Sequence, residues 1–246
     1  MFVKKLYKSV RAEDAALFAL SFLWICVIIQ CVFLPAADTR PVSAETEEAL
    51  PVLILDAGHG GADGGAVAPD GTVESALNLS VALRVRDLCA FLGINTVMTR
   101  DTEEITYPPE AKTIAAMKKW DTRRRVEIAE SMDSPVFLSI HQNIYPSSGP
   151  HGSQVLYAQN EPSRALAELI QAELTAALLP ENRRVPVPAG KDIYIMSHVH
   201  CTAVLVECGF LSHPQELSLL QSADYQKKIA SVLTACYLQF TEKGVL

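Results

Sequence analysis

The stretch VLILDAGHGGADGG (residues 52–65) joins a short apolar run to a glycine-rich loop. Residues 52–55 are too few for a helix and rich in branched side chains, which predicts a buried β-strand. The five glycines that follow before Ala66 predict a tight, irregular loop, because glycine tolerates backbone angles that other residues avoid. His59 stands inside that loop. Open α/β sheets usually place their chemistry on loops of this kind, at the carboxyl ends of buried strands.

Helix and strand patterns alternate along the rest of the chain. Helical spacing of apolar residues predicts helices at residues 74–92, 111–132 (with a break at Trp120–Asp121), 163–179, 214–220 and 225–240. Ser163 is the predicted cap of the third helix. Apolar runs predict further strands at residues 94–99, 135–140, 154–158, 193–196 and 203–206. This alternation predicts a single α/β domain, with a mostly parallel, twisted sheet covered by helices on both faces.

An apolar segment precedes that domain. Residues 1–14 carry a net charge of +2, and residues 15–37 contain no charged side chain. As a helix this segment would be roughly 35 Å long, enough to cross a bilayer core of about 30 Å. The basic residues before it place the N-terminus in the cytoplasm and the remainder outside, so the protein is expected to be extracytoplasmic. The length favours a retained transmembrane anchor, whereas Val42-Ser-Ala44 resembles the cleavage site of a signal peptide.

The remaining residues divide into a spacer and one folded region. Residues 38–50 are polar and lack periodicity, which is typical of a linker, and residues 51–246 form the predicted folded domain. The 246-residue chain has a formal net charge of −7. This charge does not favour a nucleic-acid-binding protein, which would usually be basic. Outside the apolar segment the cysteines lack metal-site spacing, so they are expected to be small buried apolar residues, with a disulfide as the alternative. These cysteines are Cys89, Cys201, Cys208 and Cys236.

Four polar residues occupy positions that a parallel sheet would bring together. His59, His141 and Glu207 each follow an apolar run, at the carboxyl ends of three predicted strands, and Glu74 opens the first helix. Two imidazoles and one carboxylate form a familiar zinc set that leaves a position open for water. A further carboxylate beside that water would be the general base. The pattern therefore indicates a zinc hydrolase, although no short metal signature such as HExxH is present.

Other interpretations of these residues remain open at this point. A histidine after a glycine loop is commonly a hydrogen-bonding group, and Glu74 could simply stabilise a helix N-terminus. Asp56 could orient a ligand histidine or cap the loop. The loop does not fit the dinucleotide pattern GxGxxG, because Asp63 occupies the third glycine position. His198 and His200 could chelate a metal only from a strand, and an exposed loop near the site is the default expectation.

Four blocks of the sequence resemble the zinc-dependent N-acetylmuramoyl-L-alanine amidases of the amidase-3 type, a family of cell-wall hydrolases. The blocks are LDAGHGG (55–61), Glu74 with ALN (76–78), SIHQN (139–143) and VLVECGFLS (204–212). The resemblance covers essentially residues 51–240. The plan of one apolar segment and one catalytic domain is most similar to the sporulation-associated members, which form muramic lactam in the spore cortex. Gln142 and His213 depart from the usual residues, which affects expectations about substrate subsites and not about the metal.

The resemblance implies one Zn²⁺ held by His59, Glu74 and His141, with Glu207 as the catalytic carboxylate and Asn143 as a substrate contact. The implied reaction cleaves the amide between the muramic acid lactyl group and L-alanine of peptidoglycan, by an activated water whose proton Glu207 accepts. The alternatives are a zinc carboxypeptidase that acts on the stem peptide and a non-catalytic wall-binding or regulatory module. Peptidoglycan is the expected partner. The sequence leaves open an activating protein partner.

Overall fold

The structure is a computed structural model that describes residues 50–242. The strands are β1 Leu53–Ala57, β2 Thr96–Met98, β3 Val136–Asn143, β4 Gln154–Tyr157, β5 Val187–Pro188 and β6 Thr202–Phe210. The helices are α1 Glu74–Phe91, α2 Ile114–Glu130, α3 Glu161–Leu178, α4 Tyr194–His198, α5 Pro214–Gln221 and α6 Ala223–Glu242. The predicted anchor or signal segment at residues 15–37 lies outside the described residues. Within residues 50–242 no helix has the length and apolarity needed to span a bilayer.

The six strands form one sheet in the order β2-β1-β3-β6-β4-β5. The strands β2, β1, β3 and β6 are parallel, whereas β4 pairs antiparallel with β6 and parallel with β5. The prediction of a mostly parallel α/β sheet is therefore confirmed. The carboxyl ends of the three central strands lie at one edge of the sheet, which is the edge where the predicted site residues are found.

Side chains on the two faces of the sheet build two hydrophobic clusters. Alternate residues of a strand point to opposite faces, so Leu53 and Leu55 of β1 join one cluster and Ile54 joins the other. The larger cluster is covered by α1, α3 and α6, and the smaller one by α2 and α4. Helices therefore cover both faces, as the continuous apolar runs of the strands predict.

Three local predictions are wrong. Residues 193–196 are not a strand, because Met196 and Val199, three residues apart, both face the smaller cluster from the short helix α4 and the residue that follows it. The helix α2 is continuous through Trp120 and Asp121. The helix α3 begins at Glu161, capped by Asn160 rather than Ser163, whose own N–H donates to the Asn160 side chain.

The four described cysteines are free thiols in largely buried positions, as predicted. Cys89, Cys208 and Cys236 are buried, Cys201 is partly buried, and all four are free thiols. Burial raises the pKa of the Cys208 thiol to about 12 and that of Cys236 to about 12, so both remain protonated at neutral pH. These residues therefore serve as small apolar side chains of the sheet and the helix α6, and the disulfide alternative is excluded for the described cysteines.

Candidate metal centre

The structure brings His59, Glu74 and His141 together at the carboxyl edge of the sheet. His59 lies on the loop after β1, Glu74 is the first residue of α1, and His141 lies in β3. The Nε2 atom of His59 is 3.4 Å from Oε2 of Glu74, and Nδ1 of His141 is 3.0 Å from Oε1 of the same carboxylate. One nitrogen or oxygen from each residue lies within 4.8 Å of the others. Three donors in this arrangement can hold one metal ion.

The backbone of the glycine-rich loop allows this convergence. His59 adopts a positive φ of 59°, an uncommon conformation for a residue with a side chain. A Cβ on Gly58 would overlap the His141 ring, and a Cβ on Gly65 would lie 2.6 Å from Oε2 of Glu74. Glycine is therefore required at both positions, because the imidazoles and the carboxylate occupy the space that a side chain would need.

The carboxylate of Glu74 is fixed by neutral donors as well as by the histidines. Its Oε2 accepts from the Ala66 N–H at 2.9 Å, and its Oε1 accepts from Asn78 Nδ2 at 3.1 Å and from the Gln142 N–H at 3.2 Å. Burial alone would raise the pKa of Glu74, but the hydrogen bond and charge of His141, together with the charge of His59, lower it to about 2. Glu74 is therefore ionised at neutral pH and held in one orientation.

Asp63 completes the environment of His59 and was not predicted from the sequence. Its Oδ2 lies 2.9 Å from Nδ1 of His59 and 3.0 Å from Nζ of Lys118. These two partners lower the pKa of Asp63, with the hydrogen bond from His59 as the largest cause. An ionised carboxylate only accepts hydrogen bonds, so Nδ1 carries the proton and Nε2 presents its lone pair to Glu74 and the centre. Its place four residues after His59 in the same loop was the available signal.

Glu207 lies beside this group. It is paired in register with His141 across β3 and β6, and the two strands continue beyond these residues, so both side chains lie within strands rather than after them. Its Oε2 is buried and lacks a hydrogen-bond partner in the described part of the chain. Burial raises the pKa of Glu207 to about 7, an effect that His141 opposes and Glu74 reinforces. A buried polar atom without a partner indicates a missing ligand, water or ion.

Of the two roles that the sequence left open for Asp56, the contact with a ligand histidine is not found within residues 50–242. Asp56 is fully buried and accepts from Arg125 Nη1 at 2.6 Å and Thr99 Oγ1 at 2.7 Å. It also accepts from Ser139 Oγ. Its carboxylate oxygens are occupied by these three donors, and neither His59 nor His141 bonds to it in the part of the chain that the structure describes. Asp56 instead holds the arginine that fixes this loop.

Two buried arginines clamp the backbone of the glycine-rich loop. Arg125 donates to the carbonyls of Ala57 and His59 at 2.7 Å each. Arg100 donates to the carbonyl of His59 at 2.6 Å and to that of Gly58 at 3.0 Å. Carbonyl groups that would otherwise be buried without partners are thus satisfied. The position of His59 is therefore set by the protein itself.

The remaining candidate residues lie in two different places. Asn143 ends β3 near the centre, is partly exposed, and accepts from the Ile144 N–H through its own side chain. His198 and His200 lie before β6, at the opposite edge of the sheet, so the expectation that they lie near the site is wrong. Their rings bond to the Tyr194 carbonyl and to Glu130 respectively, so they do not form a chelating pair.

The chain matches the family described as N-acetylmuramoyl-L-alanine amidase over residues 53–236. The germination-specific N-acetylmuramoyl-L-alanine amidase of Bacillus subtilis is 38% identical over 198 residues, which covers 78% of this chain and 81% of the relative. The chain therefore belongs to the N-acetylmuramoyl-L-alanine amidase family and is an amidase. The predicted family, and the predicted similarity to its sporulation-associated members, are confirmed.

Solved structures agree with this assignment. The CwlD amidase of Clostridioides difficile, solved in complex with the GerS lipoprotein, superposes with a TM-score of 0.75 at 33% identity, and the match covers 78% of this chain and 99% of that one. The amidase AmiC2 of Nostoc punctiforme gives a TM-score of 0.66 at 27% identity and covers 79% of this chain and 98% of that one. The sheet and helices described above are thus the fold of this family.

Proposed function

We propose that this amidase hydrolyses the bond between the lactyl group of N-acetylmuramic acid and L-alanine in peptidoglycan, with Zn²⁺ held by His59, Glu74 and His141. The main observation that supports this proposal is the convergence of these three groups beside Glu207. The Oε2 atom of Glu207 is buried and has no hydrogen-bond partner among the described residues. Two imidazoles and one carboxylate are a donor set that suits zinc and leaves a coordination position open. A buried carboxylate oxygen without a partner is suited to hydrogen-bond a water held at the neighbouring cluster.

When bound, zinc would supply a Lewis acid that acidifies water and polarises the amide carbonyl. Glu207 takes the proton from the attacking water and later gives it to the nitrogen of the leaving L-alanine. His59 and His141 hold their nitrogens toward the centre, because Asp63 fixes one ring and the backbone at Gly58 packs against the other. Arg100 and Arg125 keep the loop in place during the reaction. Asn143, at the end of β3, is a candidate substrate contact.

The cellular setting belongs to the same proposal. The apolar segment at residues 15–37 would place residues 51–246 outside the cytoplasmic membrane, where peptidoglycan lies. Similarity to a germination-specific amidase favours a role in the spore cortex. The CwlD structure with the GerS lipoprotein supports a lipoprotein partner for this chain as well. We propose a lipoprotein of this kind as the protein partner that the sequence left open.

The test is to purify the full-length chain in detergent, quantify its zinc, and incubate it with peptidoglycan, identifying the released material by mass. One zinc per chain and intact peptides that begin with L-alanine are the expected results. Release of single amino acids from the carboxyl end of the stem would instead support a carboxypeptidase. The His59→Ala variant should lose zinc, whereas His198→Ala, at the opposite edge of the sheet, should retain it. Full zinc retention in the His59→Ala variant would refute the ligand assignment.

A further inference from the structure

A groove of about 630 Å³ lies between the segment after β2 and the helix α2. Its lining includes Arg100, Ile105 and Tyr107 from that segment, and Trp120, Asp121 and Arg124 from α2. The groove is distinct from the cluster around Glu74, and the reaction proposed above makes no use of it. A concave surface with aromatic and charged groups on a catalytic domain is a candidate binding site for part of the substrate.

The groove is built onto the loop that carries His59. The Tyr107 hydroxyl accepts from the Ala62 N–H at 3.1 Å and donates to the Gly60 carbonyl at 3.3 Å. The Gly61 N–H also donates to the Glu103 carbonyl at 2.8 Å. The segment that forms one wall of the groove is therefore bonded to the residues directly after His59. The groove wall and the loop that carries His59 are therefore neighbouring parts of one surface.

Arg124 has the features of a carboxylate receptor. Its guanidinium carbon lies 5.6 Å from the centre of the Trp120 ring, and Trp120 packs edge-on against Tyr107 with ring centres 5.9 Å apart. Arg124 is exposed and makes no ion pair or hydrogen bond with the part of the chain that the structure describes, whereas the neighbouring Arg125 is fully engaged. A guanidinium placed over an aromatic ring keeps its N–H edge free for a planar anion.

The mixed charge of the groove narrows the class of ligand. Asp101 and Glu104 line the same groove, and both are exposed. Two carboxylates beside one free guanidinium disfavour a polyanion, which would be repelled along most of its length. They are compatible with a peptide that carries a carboxylate at one point. The substrate of this reaction has such a peptide, because the stem attached through L-alanine ends in free carboxyl groups.

We propose that this groove binds the stem peptide beyond L-alanine, with Arg124 pairing with one of its carboxylates. The inference rests on the proposed function, since it assigns the peptide side of the same substrate. Arg124 acts as a specificity-determining residue, and the arrangement of Trp120 and Tyr107 holds its guanidinium in place. The ion pair between Arg124 and the substrate carboxylate contributes to binding of the peptide and not to the chemical step. Loss of this ion pair therefore raises KM and leaves kcat unchanged.

The test uses the full-length, zinc-loaded chain and two N-acetylmuramoyl tetrapeptides, one with free carboxylates and one with every carboxylate amidated. The wild-type protein should have a KM about tenfold lower for the free acid, as expected for one charge-assisted hydrogen-bonded pair. Arg124→Gln should lose this preference at unchanged kcat. The matched control is Arg123→Gln, which removes an exposed charge from the same helix without touching the groove, and it should retain the preference.

The outcomes separate this inference from the proposed function. A wild-type protein that cuts both substrates equally well, or an Arg124→Gln variant that keeps the preference, would overturn the assignment of the groove while leaving the amidase reaction intact. If the wild-type protein cuts neither substrate, calorimetry with the free tetrapeptide decides the inference. Binding that Arg124→Gln weakens about tenfold, and Arg123→Gln does not, supports it; equal binding by all three proteins overturns it.

Discussion

The Nδ1 atom of His59 lies 2.9 Å from Oδ2 of Asp63, on the side of the ring opposite to the nitrogen that faces Glu74. This hydrogen bond fixes both the tautomer and the orientation of the imidazole. Asp63 in turn lies 3.0 Å from Nζ of Lys118, which joins the loop to the helix α2. The geometry of the predicted metal centre therefore depends on a residue that would not itself touch the metal.

The first prediction concerns Asp63. The Asp63→Asn variant should bind zinc about 10- to 100-fold more weakly, because a neutral amide no longer selects the required tautomer and orientation of His59. The measurement is a competition titration of zinc against a chromophoric chelator. The control is Asp224→Asn, which removes an exposed aspartate paired with Lys227 on α6. Equal zinc affinities in the two variants would show that the His59–Asp63 bond has no effect on the site.

The second prediction concerns Glu207. The Glu207→Gln variant should retain zinc and lose about 10²- to 10⁴-fold in kcat, which is the usual contribution of a general acid–base group. Zinc content and kcat are measured on the same preparation. The control is Glu130→Gln, in which the carboxylate that bonds His200 at the opposite edge of the sheet becomes an amide. A Glu207→Gln variant with normal turnover would remove this residue from the reaction.

The third prediction concerns the buried pair of Arg125 and Asp56. The Arg125→Met variant should lose about 3–5 kcal/mol of unfolding free energy, because it leaves the carboxylate of Asp56 buried without its counter-charge. Urea unfolding followed by circular dichroism measures the change. Arg123→Met, on an exposed position of the same helix, should change the free energy of unfolding by less than about 0.5 kcal/mol. Similar losses in both variants would mean that the pair contributes little to stability.

The fourth prediction is the response of stability to acid. Burial disfavours the ionised form of Asp56, but Arg125, Ser139 and Thr99 more than offset this and lower its pKa in the folded state. A group whose pKa is lower in the folded state stabilises the protein above its unfolded pKa, near 3.9, and this contribution is lost as the pH falls through the folded value.

The Asp56→Asn variant removes that titration. It should be less stable than the wild type at neutral pH, and its free energy of unfolding should fall less between pH 5 and pH 2 than that of the wild type. Urea unfolding at a series of pH values gives both curves. Parallel curves for the two proteins would show that Asp56 does not titrate differently in the folded and unfolded states.

The residues that we propose carry the chemistry were accessible to sequence reasoning. The apolar runs before His141 and Glu207 and the glycines around His59 predict strand ends and a tight loop without any structure. Parallel strands then require these side chains to share one edge. The convergence of His59 and His141 follows from those two inferences, and Glu74 joins them as the first residue of the helix after the loop. The structure brings one ligand atom of each residue within 4.8 Å of the others.

The elements that were missed depend on contacts between distant parts of the chain. Residues 193–196 are rich in branched apolar side chains, which favour a strand locally, but packing against the smaller cluster selects one helical turn. In the sequence Asp63 looks like an ordinary turn residue. Its role depends on contacts with His59 and with Lys118, and Lys118 is distant along the chain. The role of Asp56 likewise depends on Arg125, which lies 69 residues further along the chain.

The two outermost strands of the sheet have a consequence for how copies of the domain behave when crowded. β2 has three residues and β5 has two, and Pro188 in β5 has no N–H to offer. Long, flat border strands act as templates for pairing between chains, whereas short ones and proline prevent it. Both borders of this sheet are thus poor templates. Many copies of the domain can therefore be concentrated on one surface without hydrogen-bonded pairing between their edge strands.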